Sequence, residues 1–280
     1  MLTNIRLLTE ACKALNIHYE ILHPSQNLVR FKIGQEDYYF TNYTTPFLSN
    51  SVGKLFKDKD YVYYVFKDRV NVPRSESFLS PYCPEKYSKY LHYKNIDAIV
   101  EEIQKNFLLP IIIKRNTGSA GNNVFLCQDI DQVKSSLDII FNVNSKEYDY
   151  VAIAQEQIDI LREYRVIIFK NEILLVYEKS IVDAIFTGNL SPLHWEGSKA
   201  IHITDSKIIA EINQFIAPMF EEMKIPYGGL DIAIDKNGQY WLIEINSHPN
   251  FEIFIRDNDE NIIIDMFKKI LKSYLKGYVG

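Results

Sequence analysis

Apolar residues recur at helical spacing in five stretches of the chain. Ile5, Leu8, Cys12 and Leu15 mark a helix over residues 3–15. Ile96, Ile99, Val100, Ile103 and Phe107 mark a second over 96–107, and Val133, Leu137, Ile140 and Phe141 a third over 131–141. Two more helices are predicted over 205–223 and 261–275. Between them, short runs rich in β-branched and aromatic residues predict strands over 111–115, 123–127, 151–158, 164–169 and 173–179. The stretch 18–43 is also strand-rich, with a hairpin turn near residues 34–36. Pro73, Pro81 and Pro84 punctuate a polar stretch that suggests a boundary over 71–85. Residues 183–199, with Gly188, Pro192, Gly197 and little periodicity, form a long loop of the kind that often covers an active site. Helix and strand periods alternate throughout, so the fold class is α+β or α/β.

One hairpin carries chemistry. Asn237-Gly238 stands between the apolar runs 228–234 and 239–245, and a two-residue Asn-Gly turn takes positive φ at both positions. If Lys236 pairs with Gln239, Asp231 faces Glu244 and Gly229 faces Asn246 on the same side of the sheet. Leu230, Ile232, Ile234, Trp241, Ile243 and Ile245 then form a continuous buried surface on the other side. Two carboxylates about 5 Å apart repel by on the order of 3 kcal/mol at an effective dielectric of about 20. A favourable cross-strand pair contributes at most about 1 kcal/mol, so something must offset the repulsion. Hard oxygen donors grouped in this way suit Mg²⁺, especially with a phosphate to complete its octahedron. The alternative is a solvated or proton-sharing pair of acids.

Composition narrows the function classes. At 280 residues and 47% apolar content the chain can bury one large core or two to three smaller ones. A net charge of -5 without a sustained basic run argues against nucleic-acid binding through broad phosphate neutralisation. Cys12, Cys83 and Cys127 are widely spaced and match no ligand pattern, so a reducing cytoplasm fits better than a disulfide framework. No stretch has the apolar length a bilayer requires, and Arg6, Glu10 and Lys13 interrupt any signal-peptide core. The expectation is a cytoplasmic protein without a membrane segment.

Residues 110–125 read as a strand ending in Lys114, a small-residue loop with Gly118, Ser119, Ala120 and Gly121, and a second strand. Backbone N–H groups in such a loop can converge on phosphate oxygens while the lysine supplies a point charge. A plain flexible hairpin loop is the competing reading, because neither a Walker A nor a dinucleotide fingerprint is present. Farther on, Gln155, Glu156 and Ile158 end one strand, Glu163 and Arg165 begin the next, and Lys179 closes a third. Taken singly, Glu163, Arg165, Glu178 and Lys179 are better explained by ion pairing on a solvated sheet face.

In order and spacing these pieces resemble the ATP-grasp superfamily over residues 58–252. The resemblance is to its carboxylate-amine ligases, which include D-alanine:D-alanine ligases, glutathione synthetases, cyanophycin synthetases and the glutamate ligases of ribosomal protein modification. It implies two α/β subdomains clasping ATP, here 58–155 and 156–280, after a shortened N-terminal region, 1–57. It also implies that Lys59, in the stretch Asp58-Lys59, and Lys114 touch the ATP phosphates under a lid containing Thr117, Gly118, Ser119 and Gly121. Gln155, Glu156 and Ile158 match the adenine hinge, Glu163 the ribose-binding acid, and Arg165 and Lys179 basic positions near the β and γ phosphates. Asp231, Glu244 and Asn246 match a metal triad holding Mg²⁺, usually two ions, with Mn²⁺ as a substitute.

Members often carry an arginine two residues before the metal aspartate; here Gly229 stands there, with Arg256 as a candidate replacement cation and His248 as a candidate acceptor-binding residue. The implied activity is ADP-forming ligation of a carboxylate to an amine through an acylphosphate, on an amino acid, peptide or related small molecule. No nucleic-acid or membrane partner is implied, and a homodimer is compatible. A phosphotransferase without an amine acceptor and an inactive nucleotide-binding module are the competing functions.

Overall fold

The computed structural model describes residues 1–118 and 120–276. Helix α1 (Thr3–Ala14) leads into a three-stranded sheet of β1 (Tyr19–Ile21), β2 (Leu28–Ile33) and β3 (Glu36–Thr41), with Gly34 in the left-handed region at the predicted turn. Two short helices follow, α2 (Asn50–Lys57) and α3 (Lys59–Phe66), and then β4 (Ser75–Leu79). The sequence reading missed all three. The helices are only eight residues long, too short for periodicity to register, and β4 lies inside the proline-punctuated stretch. What starts α3 is the Asp58 side chain, which accepts from the Tyr61 N–H at 2.9 Å.

Next come α4 (Ile96–Asn106), β5 (Ile111–Arg115), β6 (Val124–Cys127), α5 (Ile130–Ile140) and β7 (Val151–Glu156). Asn95 and Asp129 cap α4 and α5 through bonds of 2.8 Å to the N–H groups of Ala98 and Gln132. The strands assemble in the order β4-β7-β5-β6, and the apolar stripes of α4 and α5 pack on this sheet through Ile99, Ile103, Val133, Leu137, Ile111, Ile113, Ala152 and Ala154.

The third sheet comprises β8 (Ile160–Phe169), β9 (Glu172–Ser180), β10 (Lys199–His202), β11 (Tyr227–Asp235) and β12 (Tyr240–Asn246), in the order β10-β9-β8-β11-β12. Helix α6 (Ser206–Glu222) precedes β11, and α7 (Glu252–Asp257) and α8 (Asn261–Lys276) close the described chain. Strand alternation divides this sheet between two cores. Val166, Ile168, Val176, Leu230 and Ile232 face α6 together with Phe56, Val62 and Phe66 of α2 and α3. On the other side Ile167, Phe169, Leu175, Tyr177 and Tyr227 pack with α1, the first sheet, α7 and α8. All strand pairings found are antiparallel, and the α+β class holds.

The acidic hairpin differs from its predicted form in two places. Asp235 and Gln239 are bonded and Ile234 pairs with Tyr240, so the loop is three residues, Lys236 to Gly238, and within the Asn-Gly pair only Gly238 has positive φ. The Asp235 carboxylate explains this, accepting from the N–H groups of Asn237 and Gln239 at 2.8 and 2.9 Å and folding the turn around itself. A bulge after Asp231 then absorbs one residue, Ile243, and restores the register: Asp231 faces Glu244 and Gly229 faces Asn246, as predicted. The shift moves Leu242 into the core while Trp241 and Ile243 are only half-buried. Ile243 lines a cavity instead.

Candidate active site

The sheet face that buries Ile167, Tyr177 and Tyr227 at one end carries ionised groups at the other. Arg165 donates through Nε and Nη2 to the two oxygens of Asp231, with the Nη2 bond at 3.1 Å. Lys179 lies between two carboxylates, bonded to Glu163 and 2.8 Å from Asp231. Ion pairing had been the competing reading for these residues, on a solvated face. The pairing is real but buried, with Lys179 5%, Glu163 8% and Asp231 3% exposed.

Burial would raise the Asp231 carboxyl, but Arg165 and Lys179 together outweigh it and hold the group well below the usual carboxylate range. Burial would likewise lower Lys179 and Arg165, and their carboxylate partners push both up. Glu163 is raised by its burial, which Lys179, shared with Asp231, only partly offsets. These four groups are therefore a charged block that holds the sheet end together, and Glu163 and Arg165 are already engaged within it.

Glu244, across from Asp231, is different. It is only half-buried, and its bond is to the Asn246 amide at 3.1 Å, with the same amide nitrogen 3.4 Å from Asp231. The three side chains of the predicted triad thus converge. A half-turn of the Asn246 amide would present its oxygen in place of its nitrogen, so the set fits a hard divalent cation. Among the described residues no group of three or more His, Cys, Asp or Glu side chains is placed to hold a metal. Two acids, one amide and oxygens from elsewhere would have to complete an octahedron.

The arginine that the resemblance leads one to expect at Gly229 would crowd its neighbours there. A β-carbon there would lie 3.0 Å from Cδ of Arg165 and 3.2 Å from Cβ of Pro249, so Arg165 fills that space from the neighbouring strand. Arg256 stands apart on α7, bonded to Asp257 and to the Ser198 carbonyl. His248 is half-buried, its Nδ1 has no partner among the described residues, and burial pushes its imidazole down.

Lys114, on the opposite sheet, and Lys59, on α3, meet Glu244. Lys59, Lys114, Gln155, Ser75 and Tyr63 line a cavity of about 10 Å³ together with Ile243, Glu244 and Ile245 at the edge of β12. Lys114 donates to Gln155 Oε1 at 2.8 Å, and Gln155 Nε2 donates to Ser75 at 2.8 Å. Lys59 sits at the start of α3 and donates to the carbonyls of Asn116 and Gly118 at 3.2 and 2.6 Å. Burial, with Lys59 close by, pushes the Lys114 ammonium down to about 7; Glu244 pulls the other way. Lys59 is also lowered, chiefly by burial. One buried and one half-buried ammonium group with weak counter-charge describe a site that favours an anion.

This electrostatic cost has a measurable consequence. Lys114 is depressed in the folded chain and ordinary, near 10.4, when unfolded, so between the two values the unfolded state binds more protons and stability rises with pH. Lys114→Met should remove a slope of up to about 1.4 kcal/mol per pH unit between roughly pH 7 and 10. Denaturant midpoints across that window check it, and equal slopes in the two proteins would refute it.

Other predicted residues are placed as follows. Thr117 gives both its N–H and its hydroxyl to Asp149 at 2.8 Å, so its donors anchor the base of the loop. Glu156 accepts from the Arg74 N–H at 2.6 Å, and Ile158 lies just beyond β7, where its carbonyl accepts from Ile160. Gly118 and Gly121 flank Ser119, which lies outside the described residues. Three residues escaped the sequence reading: Asp149, Asn116, whose side chain accepts from the Asp60 N–H at 3.0 Å, and Asn189, which bonds to Ala120. Asparagine ahead of a small-residue loop was a local signal for Asn116. The other two join distant segments, and no local pattern marks them.

Comparison with known proteins bears on the family and the fold. Residues 85–271 match the family model described as a RimK-like ATP-grasp domain. An uncharacterized protein of Mycoplasma genitalium, MG012, is 21% identical over 187 residues, covering 67% of this chain and 60% of its own length. Among solved structures, the VanG D-Ala:D-Ser ligase of Enterococcus faecalis aligns over 76% of this chain and 61% of its own, with TM-score 0.54 and 15% identity. A bifunctional glutathione synthetase of Pasteurella multocida aligns over 96% of this chain and 44% of its own, with TM-score 0.53 and 16% identity. The chain thus spans 44% to 61% of the length of these relatives, and the likeness to solved structures is one of fold.

Proposed function

Since the chain belongs to the RimK-like ATP-grasp family, we propose that it is an ATP-dependent ligase that joins a carboxylate to an amine with release of ADP and phosphate. The observation that carries this reading is the cavity in which Lys59, Lys114 and Gln155 from one side meet Glu244 from the other, next to the Asp231–Asn246 pair. The acceptable substrates are an amino acid, a peptide or a related small molecule. The γ phosphoryl group passes to the substrate carboxylate, and the amine then attacks the acylphosphate and expels phosphate.

In this reading Lys59 and Lys114 neutralise phosphate charge and Gln155 holds Lys114 in place. Asp231, Glu244 and Asn246 would hold Mg²⁺, which when bound offsets charge on the phosphates. Lys179 and Arg165 keep Asp231 ionised and oriented. Most of the catalytic effect is positioning and charge stabilisation, as in phosphoryl transfer generally. A cavity of about 10 Å³ has room for little more than one water molecule. Nucleotide entry therefore requires the two sheets to part.

The test is chemical. With ATP, Mg²⁺ and a panel of amino acids and short peptides, ADP and phosphate should appear in equal amounts, and hydroxylamine in place of the amine should yield a hydroxamate identified by mass spectrometry. AMP and pyrophosphate as the main products would overturn the acylphosphate route. Phosphate transfer with no amide or hydroxamate across the panel would favour a phosphotransferase.

A further inference from the structure

One side chain joins the two loops that the sequence leaves without periodicity. Asn189 donates through Nδ2 to the Ala120 carbonyl at 3.0 Å, its Oδ1 accepts from the Ser191 N–H at 2.8 Å, and its carbonyl accepts from the Trp195 indole at 2.6 Å. Its amide occupies the space beside Gly121 that any other residue would need. A β-carbon on Gly121 would lie 2.0 Å from Asn189 Oδ1, and Gly121 has φ +71. Only glycine admits this contact at that position.

The segment that presents Asn189 is braced within itself. Ile185 and Glu196 exchange backbone hydrogen bonds at 2.8 and 3.2 Å, Thr187 donates to the His194 carbonyl at 3.1 Å, and the rings of Phe186 and Trp195 meet edge to face at 5.0 Å. At its base, Arg256 donates to the Ser198 carbonyl at 2.6 Å. It is a flap with its own fastening, and its tip rests on Ala120 and Gly121. On the near side of the same loop, the Gly118 carbonyl takes the ammonium of Lys59, which lines the cavity.

We propose that Asn189 is a positioning residue that locks the flap onto Ala120 and Gly121, so that flap and loop move as one cover beside Lys59. Its catalytic consequence rests on the reading that this loop contacts phosphate; the lock itself does not. Arg256, expected from the sequence to serve as a cation for the reaction, acts in this proposal as the anchor of the flap's base.

The lock is tested without nucleotide by limited chymotrypsin digestion of the full chain, which reads cleavage after Phe186, Leu190 or Trp195. Asn189→Ala removes both the bond to Ala120 and the one from Ser191 and should raise that cleavage at least roughly five- to tenfold, while the thermal midpoint stays unchanged. Gly121→Ala should do the same in the wild-type background and add little to Asn189→Ala, because the obstructing amide is then gone. Equal cleavage of Asn189→Ala and wild type, or simple additivity of the two substitutions, would overturn the lock. With Mg-ATP, Asn189→Ala should raise KM for ATP by a similar factor with a smaller change in kcat, and an unchanged KM would overturn the positioning role. If the wild type neither binds nor turns over ATP, the ligase reading fails while the digestion result still decides the lock.

Discussion

Glu244→Gln is expected to abolish turnover, by about a thousandfold or more in kcat, and to leave the protein folded. The scale is that of removing a group on which transition-state charge stabilisation depends. Stability should not suffer, because Glu244 is half-buried and, among the described residues, its side chain bonds to Asn246 alone. Its carboxylate faces Asp231 across the strand pair. Arg165 and Lys179 already balance the Asp231 charge, and Glu244 acts against the lowering of Lys114 and Lys59, so the neutral amide removes a screened repulsion and a weak attraction together with a ligand. Phosphate release at saturating Mg²⁺ and a thermal melt of the same preparation check both halves. Ordinary turnover would remove Glu244 from the proposed site, and a collapsed melt would make it a structural residue.

Asp231→Ala should fail in the opposite way, by destabilising the chain by about 3–5 kcal/mol, because it leaves Arg165 and Lys179 buried without their shared partner. Glu163 can still pair with Lys179, whereas Arg165 would have no bonded carboxylate left among the described residues. The pH dependence separates this role from metal binding. Asp231 is held below its unfolded value, so its contribution is complete above the carboxylate range and is lost as pH falls through and below it. Denaturant midpoints of the wild type should therefore drop on acidification without added Mg²⁺, and Asp231→Asn should flatten that drop. A melt of Asp231→Ala indistinguishable from wild type would show that the charged block does not hold the sheet end.

The two carboxylates illustrate how far local pattern reaches. Alternation along 228–246 was enough to bring Asp231 opposite Glu244 and Gly229 opposite Asn246, because a strand's period of two leaves few registers that bury its apolar residues. Yet the turn was three residues rather than two, and the bulge at Ile243 cancelled the difference. Neither feature was legible, since one depends on the Asp235 carboxylate folding into the turn and the other on what Ile243 meets in the cavity. The helices with long apolar stripes, α1, α4, α5, α6 and α8, were legible for the same reason as the strands. The eight-residue α2 and α3 were not, being fixed by caps and by the core that Phe56, Val62 and Phe66 enter.

The sequence by itself determined the helices with long apolar stripes and most of the strands, the α+β class, the resemblance that family membership bears out, and the short list of residues able to do chemistry. Only the tertiary structure decided which of those residues are already engaged. Arg165, Lys179 and Glu163 are tied into a buried block around Asp231, Thr117 to Asp149, and Arg256 to the base of a flap, while Lys59, Lys114 and Glu244 face one cavity. The physical reason is that backbone periodicity is a property of neighbours in the chain, whereas the partner of a charged side chain is whatever distant group burial brings within a few ångströms and leaves no water to replace.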